Sequence, residues 1–165
     1  MTKIRIISID QASAVSAFAV FEDDRLVKYN IIELKKMKDT HTRVEEMIRK
    51  LNDSILENKP DHVVFEDVSL QTNVSTLILL AQIQGAIMNT CVVNNITYSI
   101  YKPTIWRKIL SFRQSKNVKR PELKQQAKDF VKGKYGLELK EDICDAICIG
   151  EAYIKVKKDE DLTNE

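Results

Sequence analysis

Four acidic side chains at three places in the sequence are the residues most able to do chemistry: Asp10, Glu66, and the pair Asp142 and Asp145. Asp10 closes the run Ile4-Arg5-Ile6-Ile7-Ser8-Ile9, and Glu66 closes His62-Val63-Val64-Phe65. Each therefore reads as a carboxylate at the tip of a buried strand. Asp142 and Asp145 stand three apart near the start of a helical stretch and so share one helix face. Every member has an ordinary alternative: Asp10 as a turn former, Glu66 as an exposed strand end, the aspartate pair as a complement to a helix dipole. Together they are more specific. If their strands run parallel and adjacent, Asp10 and Glu66 lie side by side, and four converging carboxylates repel one another unless cations sit among them.

Two histidines, His41 and His62, and three cysteines offer no zinc-type cluster. The ligands are then oxygens, which suit Mg²⁺, with Mn²⁺ as a substitute. Two such ions about 4 Å apart can activate a water on one side of a phosphodiester and stabilise the departing 3′ oxygen on the other. Phosphodiester hydrolysis with two cations per active site is the expected reaction.

The net charge of +2 hides an asymmetry. Between Lys102 and Lys140 twelve lysines and arginines face only Glu122, Asp129 and Glu138, a local net of +9. Nucleic acid is the natural partner of such a stretch, and Lys116, Lys119, Arg120 and Lys124 lie between the second and last acidic elements, where they can border the site. A solvated helical face balanced by Asp159-Glu160-Asp161 explains the run equally well. Ser69, Gln71 and Asn73 follow Glu66 and suit either contacts to DNA or the cap of the next helix. Trp106, between Ile105 and Ile109, reads as a core anchor in preference to a base-stacking platform.

The elements that must position these groups follow from periodicity. Strands are expected over Ile4 to Ile9, Ser16 to Phe21, Leu26 to Ile32, His62 to Phe65 and Thr97 to Tyr101. Helices are expected over Thr40 to Asn58 (with a Thr42/Glu45 capping box), Val74 to Val92, Thr104 to Leu110, Pro121 to Gly133 and Glu141 to Lys157. The layout is α/β: a mixed five-stranded sheet, three antiparallel strands plus parallel ones, with helices on both faces. The 165 residues suit a single domain over 1–157, followed by an acidic, disordered tail over 158–165. Cys91, Cys144 and Cys148 read as reduced core residues. No apolar run approaches the roughly 20 residues that span a bilayer, so no membrane association and a cytoplasmic location are expected.

The arrangement Ile-Ser-Ile-Asp10 with Ser13, Val-Phe-Glu66-Asp-Val, Tyr101-x-Pro-x-x-Trp106-Arg-Lys and Glu-Asp142-x-x-Asp145-Ala-x-x-x-Gly150 resembles the RuvC family of Holliday junction resolvases, in particular the small phage forms. The resemblance runs from about Ile4 to Tyr153 and implies an RNase H-like fold. It also implies a homodimer that makes paired symmetric nicks across four-way DNA junctions, with Asp10, Glu66, Asp142 and Asp145 as the metal-binding acids. A nuclease of the same fold acting on flaps, forks or RNA-DNA hybrids is the alternative. In this family the helix after the second acidic strand builds much of the dimer contact, which the small residues Ala81 and Gly85 suit, as does ordinary core packing. The chain departs from the family in carrying Gln11-Ala12-Ser13 where a glycine usually follows the first aspartate. It also has Ser69 where some members have an aromatic.

Overall fold

The computed structural model describes residues 2–69 and 73–163. The elements in chain order are β1 (Arg5–Asp10), β2 (Val15–Glu22), β3 (Arg25–Glu33), α1 (Thr40–Asn58), β4 (His62–Glu66), α2 (Val74–Val93), β5 (Thr97–Tyr101), α3 (Pro103–Ile109), α4 (Arg120–Tyr135) and α5 (Glu141–Thr163). The strands form one sheet in the order β3-β2-β1-β4-β5. β1, β2 and β3 pair antiparallel, whereas β4 runs parallel to β1 and β5 parallel to β4. The antiparallel strands are joined by short turns, and each parallel step is made through a helix, α1 or α2.

Because side chains alternate along a strand, the sheet builds two cores. On one face Ile7, Ile9, Phe18, Val20, Val63 and Phe65 pack with Met47, Leu51 and Ile55 of α1 and Ile83, Ile87 and Cys91 of α2. On the other, Ile6, Ala17, Ala19, Phe21 and Val64 pack with Trp106 of α3, Ala127 and Val131 of α4, and a run of α5 from Ile143 to Ile154. By the same alternation Asp10 shares the face of Ile6 and Ser8, and Glu66 that of Val64. Both acids therefore look toward the α5 side.

Close packing fixes α5 against that side. Ser8 Oγ donates to the Ala146 carbonyl at 2.6 Å. A Cβ built on Gly150 would stand 2.3 Å from Phe21 Cε2 and 2.7 Å from Ser8 Oγ, so only glycine lets the helix axis come this near the strands. The first turn of α5, which carries Asp142 and Asp145, is thereby brought to the ends of β1 and β4.

Three expectations are corrected, and one left open is decided. The cap of α1 is Asp39, whose Oδ2 accepts from the Thr42 amide at 2.8 Å and from Thr42 Oγ1 at 2.6 Å; Thr42 is already inside the helix, so the Thr42/Glu45 box does not form. α5 continues through residues 158–163, which were expected in a disordered tail. Lys158 pairs with Asp24 at 2.7 Å, Lys157 with Glu160 at 2.8 Å, and Thr163 Oγ1 donates to the Glu160 carbonyl. α2 is, by length and composition, long and apolar enough to cross a membrane, because its polar residues are uncharged. It nevertheless packs on the sheet and on α1, where Thr90 Oγ1 donates to Asn52 Oδ1 at 2.9 Å. Its first turn is capped by Asn73 Oδ1, which accepts from the Ser75 amide at 2.9 Å, so of the two roles open to Asn73 the structure shows the cap.

The cysteines are free and buried. Burial raises the thiol pKa of Cys91 to about 11 and that of Cys144 to about 11, and it also raises that of Cys148 well above the ordinary value, as suits inert core residues.

Candidate active site

Asp10, Glu66, Asp142 and Asp145 line one cavity of about 920 Å³ at the carboxyl ends of β1 and β4. Burial raises the Asp10 carboxyl well above the ordinary carboxylate range, and the charges of Glu66, Asp145 and Asp142 push it further, with Lys124 opposing. Glu66 is raised chiefly by burial, against the hydrogen bond from Trp106 and the charges of Arg107, Arg120 and Lys124. Asp145 is pushed up to about 7, again by burial first, with Lys124 opposing and Glu66 adding to the rise. These groups resist carrying their negative charges together, so the cavity favours either protons or cations.

The positions of the two strand-tip acids are fixed by different devices. Parallel pairing of β1 with β4 carries to Ile9 opposite Phe65. Just beyond, the Gln11 amide takes over the pairing: Nε2 donates to the Glu66 carbonyl at 2.5 Å and Oε1 accepts from the Glu66 amide at 3.3 Å. The residue after Asp10 is thus tied to the backbone of Glu66. The turn that follows is closed by Ser16, whose Oγ bonds both the amide and the carbonyl of Ala12 at 2.9 Å. None of residues 11–14 has a positive φ, so the turn forms without glycine.

Glu66 is held a second time through its side chain. The buried indole of Trp106 donates from Nε1 to Glu66 Oε2 at 2.8 Å. Next to it the Arg107 guanidinium lies over the Trp106 ring, 4.9 Å from its centroid. Arg107 lines the cavity, and its charge favours the ionised forms of Glu66 and Asp145. Its Nε is buried with no hydrogen bond among the described residues. In the sequence Arg107 belongs to the basic run and to the Trp106-Arg-Lys part of the family resemblance, neither of which assigns it a place at the acids. The contacts of Gln11 and Trp106 to Glu66 left no trace in local pattern.

Of the basic candidates, Arg120 and Lys124 line the cavity. Burial works against the charge of Lys124, but Glu141 at 2.8 Å and the fields of Asp145 and Asp142 keep its ammonium pKa above the ordinary value. Lys116 lies in the turn before α4 and Lys119 at its N-cap, both outside the lining. Lys102 was missed and lines the wall. Ser69 also borders the cavity, whereas Gln71 lies outside the described residues. The histidines are elsewhere. His62 stacks on Tyr153 with centroids 4.5 Å apart and is depressed to about 4 by burial, and His41 pairs with Glu45 on the exposed start of α1.

The donor chemistry of the cavity fits a hard divalent cation: carboxylate oxygens, partial burial, and no competing nitrogen or sulfur ligand. Among the described residues no three acidic, histidine or cysteine side chains form a ready-made ligating group.

The comparisons with known proteins bear on this geometry. The family model described as crossover junction endodeoxyribonuclease RuvC matches residues 6–150. The enzyme of that name from Fusobacterium nucleatum is 27% identical over 104 residues, 61% of this chain and 55% of the relative, so the match spans little more than half of that relative's length. The one from Caldicellulosiruptor saccharolyticus is 24% identical over 159 residues, 92% of each chain. Among solved structures, Thermus thermophilus RuvC in complex with a Holliday junction substrate superposes with a TM-score of 0.74 at 13% identity, covering 94% of this chain and 96% of that one. The fold is therefore that of the RNase H-like resolvases. Over most of its length, and including all four acids, the chain belongs to the RuvC family of crossover junction endodeoxyribonucleases.

Proposed function

We propose that this protein is a divalent-cation-dependent endodeoxyribonuclease that resolves four-way DNA junctions by paired symmetric nicks, acting as a homodimer in the cytoplasm. The observation that carries the reading is the meeting of Asp10, Glu66, Asp142 and Asp145, from three distant segments, in one cavity rimmed by Arg107, Arg120 and Lys124. It is supported by family membership over residues 6–150.

The four carboxylates would hold two Mg²⁺ ions, with Mn²⁺ as a substitute. When bound, the cations supply an activated water and charge stabilisation at the scissile phosphate. The chain's own part is positioning. Asp10 and Glu66 are aimed by the sheet, Asp142 and Asp145 by the packing of α5, and the basic side chains of the wall, Lys102, Arg107, Arg120 and Lys124, offset phosphate charge as DNA enters. Lys116 and Lys119, outside the cavity, suit contacts to the backbone of a DNA arm. Ser69, at the cavity edge, suits a similar contact, and the sequence offers Gln71 for it as well.

α2 supplies the reading of the dimer. Val74, Ile78, Val92 and Val93 are exposed and apolar, and Ala81 and Gly85 make the intervening surface small. A second copy of the chain covers such a stripe, as the family's assembly implies.

The test is cleavage of a synthetic four-way junction beside a flap and an RNA-DNA hybrid, by the wild type and by Asp10→Asn. Symmetric nicks on opposing strands of the junction are expected. Asp10→Asn should still bind the junction while cutting at least about 10²-fold more slowly, equivalent to about 3 kcal/mol. Equal cutting of all three substrates without strand symmetry would favour a nuclease for flaps, forks or hybrids instead.

A further inference from the structure

Glu66 is tied down more tightly than its role as one ligand among four requires. Trp106 Nε1 donates to its Oε2 at 2.8 Å, and Oε1 carries no hydrogen bond among the described residues. The Gln11 amide engages both polar groups of its backbone. Neither partner is free to wander. Trp106 is fully buried, with Phe112 edge-on at 5.8 Å between centroids and Arg107 over its face, and Gln11 is only 8% exposed.

The chemistry of these two groups differs from that of the rim. An indole N–H donates only and does not titrate, and an amide is neutral. Both can therefore orient a carboxylate without adding positive charge, whereas a lysine or arginine in the same place would compete with a cation for it. A hydrogen bond to an ionised acceptor is also about twice as strong as a neutral one. The indole occupies part of Oε2 and leaves Oε1 uncommitted, and Gln11 fixes the backbone of Glu66 relative to that of its neighbour Asp10.

We infer that Trp106 and Gln11 are positioning residues for Glu66, presetting its carboxylate for a divalent cation so that cation affinity depends on them while junction binding does not. The inference rests on the proposed cation site. Trp106 is also the only tryptophan in the chain, so its emission reports directly on the ligand it touches.

The experiment measures Mn²⁺ binding by the electron paramagnetic resonance of the free ion, for the wild type and for Trp106→Phe, Gln11→Leu and Phe112→Leu. Junction binding is followed in parallel without cation. Trp106→Phe keeps the ring and loses the donor, and should weaken Mn²⁺ binding by about tenfold or more, the range seen for partners of metal ligands. Gln11→Leu should move the same way. Phe112→Leu loosens the same aromatic cluster but spares the hydrogen bond, so it should leave Mn²⁺ affinity within about twofold of wild type by the same reasoning. In the wild type, tryptophan emission should change with the midpoint of Mn²⁺ binding, and Glu66→Gln should abolish that response.

Unchanged Mn²⁺ affinity in Trp106→Phe, or equal losses in Trp106→Phe and Phe112→Leu, would overturn the inference. If Trp106→Phe does not fold, Gln11→Leu and the wild-type emission decide: an unchanged affinity or an indifferent emission at saturating Mn²⁺ overturns it. Failure of the wild type to bind Mn²⁺ at all would sink the cation site itself, and the positioning role with it.

Discussion

At the scale of single residues, the site is governed by carboxyl groups that ionise reluctantly. Burial comes first and mutual repulsion next for Asp10, and Asp145 is pushed up to about 7, by burial first. For an acid raised in the folded state, the contribution to stability is complete below its unfolded pKa and is lost as pH rises through the folded value. With cations chelated, the raised carboxyls should therefore lower stability as the pH rises from about 4 to above 7, while His62, depressed to about 4 by burial, works in the opposite direction over the same interval; the carboxyl share is the difference in thermal melting between the wild type and Asp145→Asn, which should shrink the fall. Mg²⁺ or Mn²⁺ should restore most of the loss near pH 8, because a cation binds the ionised form. The same pH dependence in the wild type and in Asp145→Asn would mean that the acid is not raised as described. The acids were visible in sequence because each sits where a strand or helix pattern changes. The hydrogen bonds from Gln11 and Trp106 were not, because they join residues 55 and 40 positions apart and carry no periodic signature. Trp106 was legible as a core anchor, but its polar edge was not.

At the scale of elements, the decisive feature is how near α5 lies to the sheet. Gly150 has no room for a side chain beside Phe21 and Ser8. Gly150→Ala should destabilise the protein by about 1–3 kcal/mol through overpacking. It should also reduce cutting beyond what the stability loss explains, since any lift of α5 moves Asp142 and Asp145 away from Asp10. A melting temperature equal to wild type would show that the contact relaxes at no cost. Strand positions and the bounds of α1 and β5 could be read from alternation and helical spacing, since local burial sets them. Helix ends were harder. The choice of Asp39 over Thr42 as the cap depends on where the chain enters the helix, and the extra turns of α5 carry an ion pair to Asp24, a partner from the distant β2–β3 turn.

At the scale of the whole molecule, α2 is the unfinished surface. A Cβ on Gly85 meets nothing within 4 Å inside the chain, so Gly85→Glu should leave the fold intact. If the stripe is covered by a second copy, this variant should sediment as a monomer and lose paired nicking while keeping its melting temperature near that of a monomeric wild type. A dimer that persists would place the interface elsewhere. The apolar length of α2 escaped a reading that looked for unbroken hydrophobic runs, because Gln, Asn, Ser and Thr interrupt the sequence without adding charge. What unites the molecule is the convergence of residues 10, 66, 142 and 145, and the most direct measurement is anomalous scattering from crystals soaked in Mn²⁺. Peaks inside the cavity, ligated by Asp10 together with Glu66 or Asp145, are expected. A well-occupied Mn²⁺ bound only elsewhere, with these four carboxylates unliganded, would contradict it.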